Sequence, residues 1–189
     1  MKNYYILKNK KERFFNQLEP KVLEAKVFKI LGCVYYGDPF HSAKGWDRNN
    51  EIGKTWERFG KLYYKYKDFL DAIKFGEAYG FEIHIEPDDY TKHKKFHILV
   101  GIEVKSIEFF PMEMFYKVFP ESQYLFFTSK YMGKGTEYVF SQWLPESKYE
   151  PSYPFMMQSY HPDRWDEKDI ENSLMDWYIP IKLKEEEKE

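Results

Sequence analysis

The sequence predicts an α+β fold made of two strand-helix-strand-strand modules lying side by side as a pseudo-dimer. Three observations predict it. An apolar stripe recurs at three- and four-residue spacing between residues 56 and 73; strict alternation runs over 81–86 and 96–104; and after Pro111 and Pro120 the order strand, helix, strand, strand occurs again. No composition shift marks a linker, so the modules, about 20–106 and 107–183, form one domain. Residues 1–19 are expected as an N-terminal extension and 184–189 as a charged tail.

Residues 1–19 are basic and aromatic without a clear period, as an extra strand or short helix packed on the domain would be. In 20–36, Val22, Val27, Ile30 and Val34 give a β-branched context, read as one strand, straight or bulged. Gly37 to Asn50 has loop chemistry, and Asn49 or Asn50 can cap a helix by accepting from a free amide one turn in. In that helix Trp56, Phe59, Leu62, Tyr63, Tyr66, Phe69, Leu70 and Ile73 form the stripe, and Gly76 and Gly80 end it. FEIHIE then sets Phe81, Ile83 and Ile85 against Glu82, His84 and Glu86. The polar stretch PDDYTKHKK makes a loop. The next strand sets Phe96, Ile98, Val100, Ile102 and Val104 against His97, Leu99, Gly101 and Glu103. In the second module SQYLFFTSKY reads as a strand, GTEYVFSQWL as a shorter helix, and YPFMMQSY and SLMDWYIPIKL as strands.

Composition narrows the function. A net charge of −2 lacks the basic footprint of a nucleic-acid binder, and nothing resembles a helix-turn-helix, so direct nucleic-acid binding is not expected. No apolar run is long enough to span a bilayer and MKNYYILKNKKERF has no apolar signal core, so a cytoplasmic location without membrane contact is expected. The single cysteine, Cys33, excludes an internal disulfide framework or a multi-Cys zinc site, and its apolar neighbours mark it as an inert thiol. Aromatic residues make up 21% of the chain, more than a core of this size needs, which points to an aromatic-lined pocket or a partner surface.

Motifs for chemistry are absent. MGKG at 132–135 is too short for a phosphate loop, and there is neither an HExxH nor a GxSxG. His84 and His97 can approach across a hairpin near Glu82 or Glu86, but a third ligand is missing and solvated strand faces carry such residues routinely. No metal and no cofactor are expected.

Several segments taken together resemble a known family. KVFKILGCVYYG, IGKTWERF, FHILVGIEV, VFPESQYLFFTSK, FSQWLPESKYE, the Gln158–Tyr160 stretch and WYIPIK run in the order of the GyrI-like (gyrase-inhibitor-like) small-molecule-binding family, from about residue 20 to 182. Its fold is also the effector-binding domain of AraC-type and MerR-type multidrug-sensing regulators. The resemblance implies a curved antiparallel sheet with helices on one face, a pseudo-twofold, and a groove between the modules for hydrophobic, often cationic or planar molecules. Some members hydrolyse cyclopropane-bearing compounds and one lineage inhibits DNA gyrase.

Combining the resemblance with the alternation gives a candidate ligand set: Trp56, Glu103, Tyr124, Phe126, Met156, Gln158, Tyr160 and Tyr178. Trp143 and Trp177 are assigned to the core. Where the family commonly shows Glu-x-Tyr, this chain has Gln158-Ser159-Tyr160; an uncompensated Gln there implies a preference for neutral aromatic ligands, because an amide carries no charge and takes no proton. The first expectation is therefore a binding module for small hydrophobic or aromatic molecules, serving sequestration or sensing. A hydrolase with Glu103 as base and Tyr160 as proton donor is the alternative. A gyrase-inhibitor-type protein binder, using the acids around Glu86–Asp89 and the tail, is a further one.

Overall fold

Residues 20–36, read from sequence as one strand, form two: β1 (Lys21–Lys26) and β2 (Lys29–Gly37). In the computed structural model, which describes residues 19–43, 48–130 and 133–185, β1 forms one edge of a nine-stranded sheet and β2 lies next to the last strand at the other. The first module continues with helices α1 (Glu51–Lys65) and α2 (Lys67–Ile73), β3 (Gly80–Ile85), the short helix α3 (Tyr90–His93) and β4 (Phe96–Glu103). The second comprises β5 (Phe115–Val118), β6 (Ser122–Lys130), α4 (Gly135–Tyr138), a π-helical turn (Val139–Trp143), α5 (Leu144–Glu146), β7 (Tyr149–Pro151), β8 (Phe155–Tyr160) and β9 (Leu174–Leu183). The expected extension falls almost wholly outside the described residues.

The strand order is β1-β6-β9-β8-β3-β4-β2-β5, with β7 on β9, and every pairing is antiparallel. Each module therefore repeats one pattern, β2-β4-β3 against β6-β9-β8, and the two meet where β3 pairs with β8 from Gly80↔Tyr160 to Ile85↔Phe155. The strands leading into the modules are exchanged: β1 precedes β2 but pairs with β6, and β5 precedes β6 but pairs with β2. Three extended residue steps reach only about 10 Å, so the short link between β1 and β2 draws the two ends of the sheet together and curves it. The two links meet, with the Phe119 amide donating to the Phe28 carbonyl at 2.8 Å.

Helices cover one face. Asn50 caps α1, its Oδ1 accepting from the Gly53 amide at 2.9 Å, and Ile52, Phe59 and Leu70 carry the apolar stripe onto Leu31, Cys33, Ile98, Val100 and Ile102. The helix breaks at Tyr66 into α1 and α2, and α2 ends at Ile73; Gly76, at φ 77°, makes the turn beyond it. In the second module Val139 and Leu144 pack on Leu125, Phe127, Met175, Trp177 and Ile179. The inner, concave face holds a third cluster, including Phe28, Ile30, Phe81, Ile83, Leu99, Phe119, Tyr124 and Met157. Each such side chain contributes about 1.5–3 kcal/mol by leaving water. β5 and β7 had no sequence signature because four and three residues are too few to show a period.

Candidate ligand groove

Residues directly paired in an antiparallel ladder share a face. Glu82 pairs with Gln158 and Val100, His84 with Met156 and Ile98, and Gln158 with Trp177. Val100 and Ile98 lie under α1, so Glu82, His84, Met156, Gln158 and Tyr160 all point to the helix side. Tyr178 pairs with Met157 and Phe126, Tyr124 lies two residues from Phe126, and Glu103 pairs with Ile30. Those side chains occupy the inner face. The sequence reading grouped Met156, Gln158 and Tyr160 with Glu103, Tyr124, Phe126 and Tyr178; the register places the sheet between them.

On the helix side the seam between modules holds a buried carboxylate. Glu82 is 1% exposed. Its Oε2 accepts from Trp56 Nε1 at 2.7 Å and from the Tyr160 hydroxyl at 3.2 Å. Its Oε1 lies 2.8 Å from His84 Nε2, and the Tyr160 hydroxyl is also 3.1 Å from Gln158 Oε1. Burying an anion costs several kcal/mol, which these donors offset. Trp56 reaches it because β3 begins with glycine: a Cβ on Gly80 would sit 2.9 Å from Trp56 Cη2. The Trp56 and Tyr160 rings meet edge to face with centroids 5.2 Å apart, and Trp165 packs on Tyr160 at 4.6 Å.

Beside this seam opens a cavity of about 480 Å³, within the range of small-molecule sites. His84, Met156, Gln158 and Trp177 form its floor, while Thr136, Glu137 and Phe140 wall it from the second module's helix. Phe140 belongs to the π-helical turn, a feature that recurs at functional sites. Among the described residues that line the cavity none is a lysine or arginine. Trp177, assigned to the core from sequence, packs in the core and also floors the cavity.

The inner face differs. Glu103 is ion-paired with Lys26 at 2.8 Å, and burial still raises its pKa because it outweighs the lysine. Lys26 Nζ also lies 4.0 Å from the centre of the Phe28 ring. Phe28 in turn meets Phe81, Tyr124 and Tyr178 edge to face. Burial pushes the Tyr178 hydroxyl up to about 12 and the Tyr124 hydroxyl further, and the latter has no hydrogen-bond partner among the described residues. The Phe126 ring meets Tyr178 at a tilt of 59°, with centroids 5.1 Å apart. Because Glu103 and Tyr160 face opposite sides of the sheet, they do not meet on one substrate.

Glu82 is the residue that sequence reasoning passed over. Its alternation with Ile83 marked it as solvated; helices on that face bury it instead. His84 and His97 also separate, since His84 pairs with Ile98 and His97 with Ile85. No cluster of three or more metal-ligating side chains occurs among the described residues.

A model of the Cass2 family, integron-associated effector binding proteins, matches residues 21–181. The chain belongs to this family. Among solved structures, SAV2435 bound to tetraphenylphosphonium is similar at a TM-score of 0.53 and 11% identity, covering 87% of this chain and 93% of that one. The Cass2 integron cassette protein from the mobile metagenome of Vibrio cholerae is similar at 0.53 and 12%, over 87% and 97%. The C-terminal domain of EcmrR is similar at 0.53 and 11%, over 89% and 98%. At these identities the likeness is one of fold, and it agrees with the GyrI-like resemblance of the sequence. No curated protein is significantly similar in sequence. This Cass2-family chain is a small-molecule-binding domain, and no helix among its described residues is long and apolar enough to cross a membrane.

Proposed function

We propose that the helix-face groove binds bulky or flat aromatic molecules and that Glu82 gives it a preference for cations. The observation that carries this reading is a buried carboxylate, held by neutral donors and a histidine, beside a cavity with aromatic and methionine walls. Gln158 lacks the family's usual charge, and its direct cross-strand partner Glu82 supplies one in its place. Aromatic ligands gain about 0.5–1.5 kcal/mol per ring pair beyond area burial, and a cation adds attraction to ring faces and to the anion beneath. The likeness to SAV2435, whose structure holds a lipophilic cation, supports the same choice. Binding of this kind suits sequestration or sensing of a hydrophobic toxic compound. The test is titration of tetraphenylphosphonium followed by tryptophan fluorescence, with Trp56→Phe as control. Saturable binding below about millimolar, weakened in the variant, is expected; no change in emission and no heat of binding at millimolar ligand would overturn the reading.

A further inference from the structure

We infer that His84 sets the charge preference of this groove. Neutral, it leaves Glu82 as an anion available to a cationic ligand; protonated, it pairs with Glu82 and turns the groove toward uncharged ligands. The inference rests on the ligand reading above and names the residue that tunes it.

The geometry makes His84 the intermediary between anion and cavity. The Glu82 side chain is 1% exposed and that of His84 is 17%, and His84 forms part of the cavity floor while its Nε2 contacts Glu82 Oε1 at 2.8 Å. Solvent protons therefore reach the imidazole through the cavity that a ligand would fill. The imidazole is faced by Glu82 on its own strand, with exposed Glu86 just past the end of β3, by Met156 and Gln158 on β8, and by the Phe96 ring on β4 at 5.2 Å. Glu137 stands across the cavity on α4, and Trp56 from α1 and Tyr160 from β8 share Glu82. No lysine or arginine is within ion-pair distance of Glu82 among the described residues. Among the described residues His84 is the one side chain that both touches the carboxylate and lines the cavity, so a proton placed on its imidazole is the charge that would neutralise the seam. Occupied by imidazolium, the carboxylate no longer repays the desolvation of a second cation.

The experiment compares tetraphenylphosphonium with uncharged triphenylphosphine oxide on wild type and His84→Gln, between pH 5.5 and 8.5. In parallel, without ligand, the Trp56 indole Nε1–H and the His84 ring are followed by NMR. Wild type is expected to lose about tenfold in cation affinity on acidification, as for one partly desolvated ion contact, with the oxide unchanged. His84→Gln keeps a donor toward Glu82 but has no proton to gain, so its cation profile is flat. Glu82→Gln, which removes the charge, must be flat as well. The indole resonance, reporting on Glu82 Oε2, should shift as His84 titrates. A cation slope that survives in His84→Gln, or an indole indifferent to the imidazole's protonation, overturns the inference. If neither probe binds at any pH the ligand reading fails, while the indole titration still decides whether His84 controls the charge on Glu82.

Discussion

On the helix side Glu82 sits among a tryptophan, a tyrosine and a histidine beside an open cavity; on the inner side Glu103 pairs with Lys26, whose ammonium lies over Phe28 of the buried aromatic cluster. Both regions combine a buried carboxylate with tyrosine hydroxyls and rings. They differ in what meets the charge, hydrogen-bond donors on the helix side and a lysine on the inner side. An anion held by dipoles keeps its net charge for a visitor, whereas an anion paired with lysine inside packed rings has already met its cation. A carboxylate among aromatic residues therefore marks a site when no lysine or arginine is paired with it and a cavity adjoins it.

The largest expected effect breaks the inner face. A Cβ on Gly32 would lie 1.9 Å from the Val100 carbonyl oxygen, so Gly32→Ala must push β2 off β4. Thermal unfolding should show a loss of about 3 kcal/mol or more.

A smaller effect sharpens the helix side. Gln158→Glu introduces the residue that the GyrI-like resemblance implies at this position, yet it places a second carboxylate directly across from Glu82. Like charges so close raise one pKa above its unfolded value. The added group then disfavours folding once pH rises through the unfolded carboxylate range toward that raised value. The variant should match wild type in acid and be about 1–2 kcal/mol less stable at neutral pH, as urea unfolding at pH 4 and pH 7 would show.

Glu103→Gln is the mildest. Its folded pKa is raised, so wild-type stability declines as pH climbs from the ordinary carboxylate value through the raised one. The amide lacks that decline. At neutral pH the variant should stay within about 1 kcal/mol of wild type, since Lys26 is partly exposed and can turn to water.

Much of the fold was legible in the sequence because its signals are local. The 56–73 stripe, the Asn50 cap and the alternation in β3 and β4 each rest on a few consecutive residues, and the repeated order of elements exposed the two modules. The exchange of β1 and β5 was not legible, since Val27 and Phe28 look like any β-branched and aromatic pair within a strand. The grouping of the candidate site's residues was not legible: alternation divides a strand into two faces, but which face meets the helices depends on register between distant strands. Trp56, Met156, Gln158 and Tyr160 fall together on the helix side, and Glu103, Tyr124, Phe126 and Tyr178 on the other. Glu82 was missed because a polar residue in an alternating strand signals solvent unless a second layer covers it.

The central claim is that Glu82, and not Glu103, is the anion that a ligand feels. Calorimetric titration of tetraphenylphosphonium and triphenylphosphine oxide against wild type, Glu82→Gln and Glu103→Gln at pH 8 tests it directly. The account predicts that Glu82→Gln lowers cation affinity by about 1–3 kcal/mol with little change for the oxide, and that Glu103→Gln leaves both ligands as in wild type. Loss of cation selectivity in Glu103→Gln with selectivity intact in Glu82→Gln would contradict it and move the groove to the other face of the sheet.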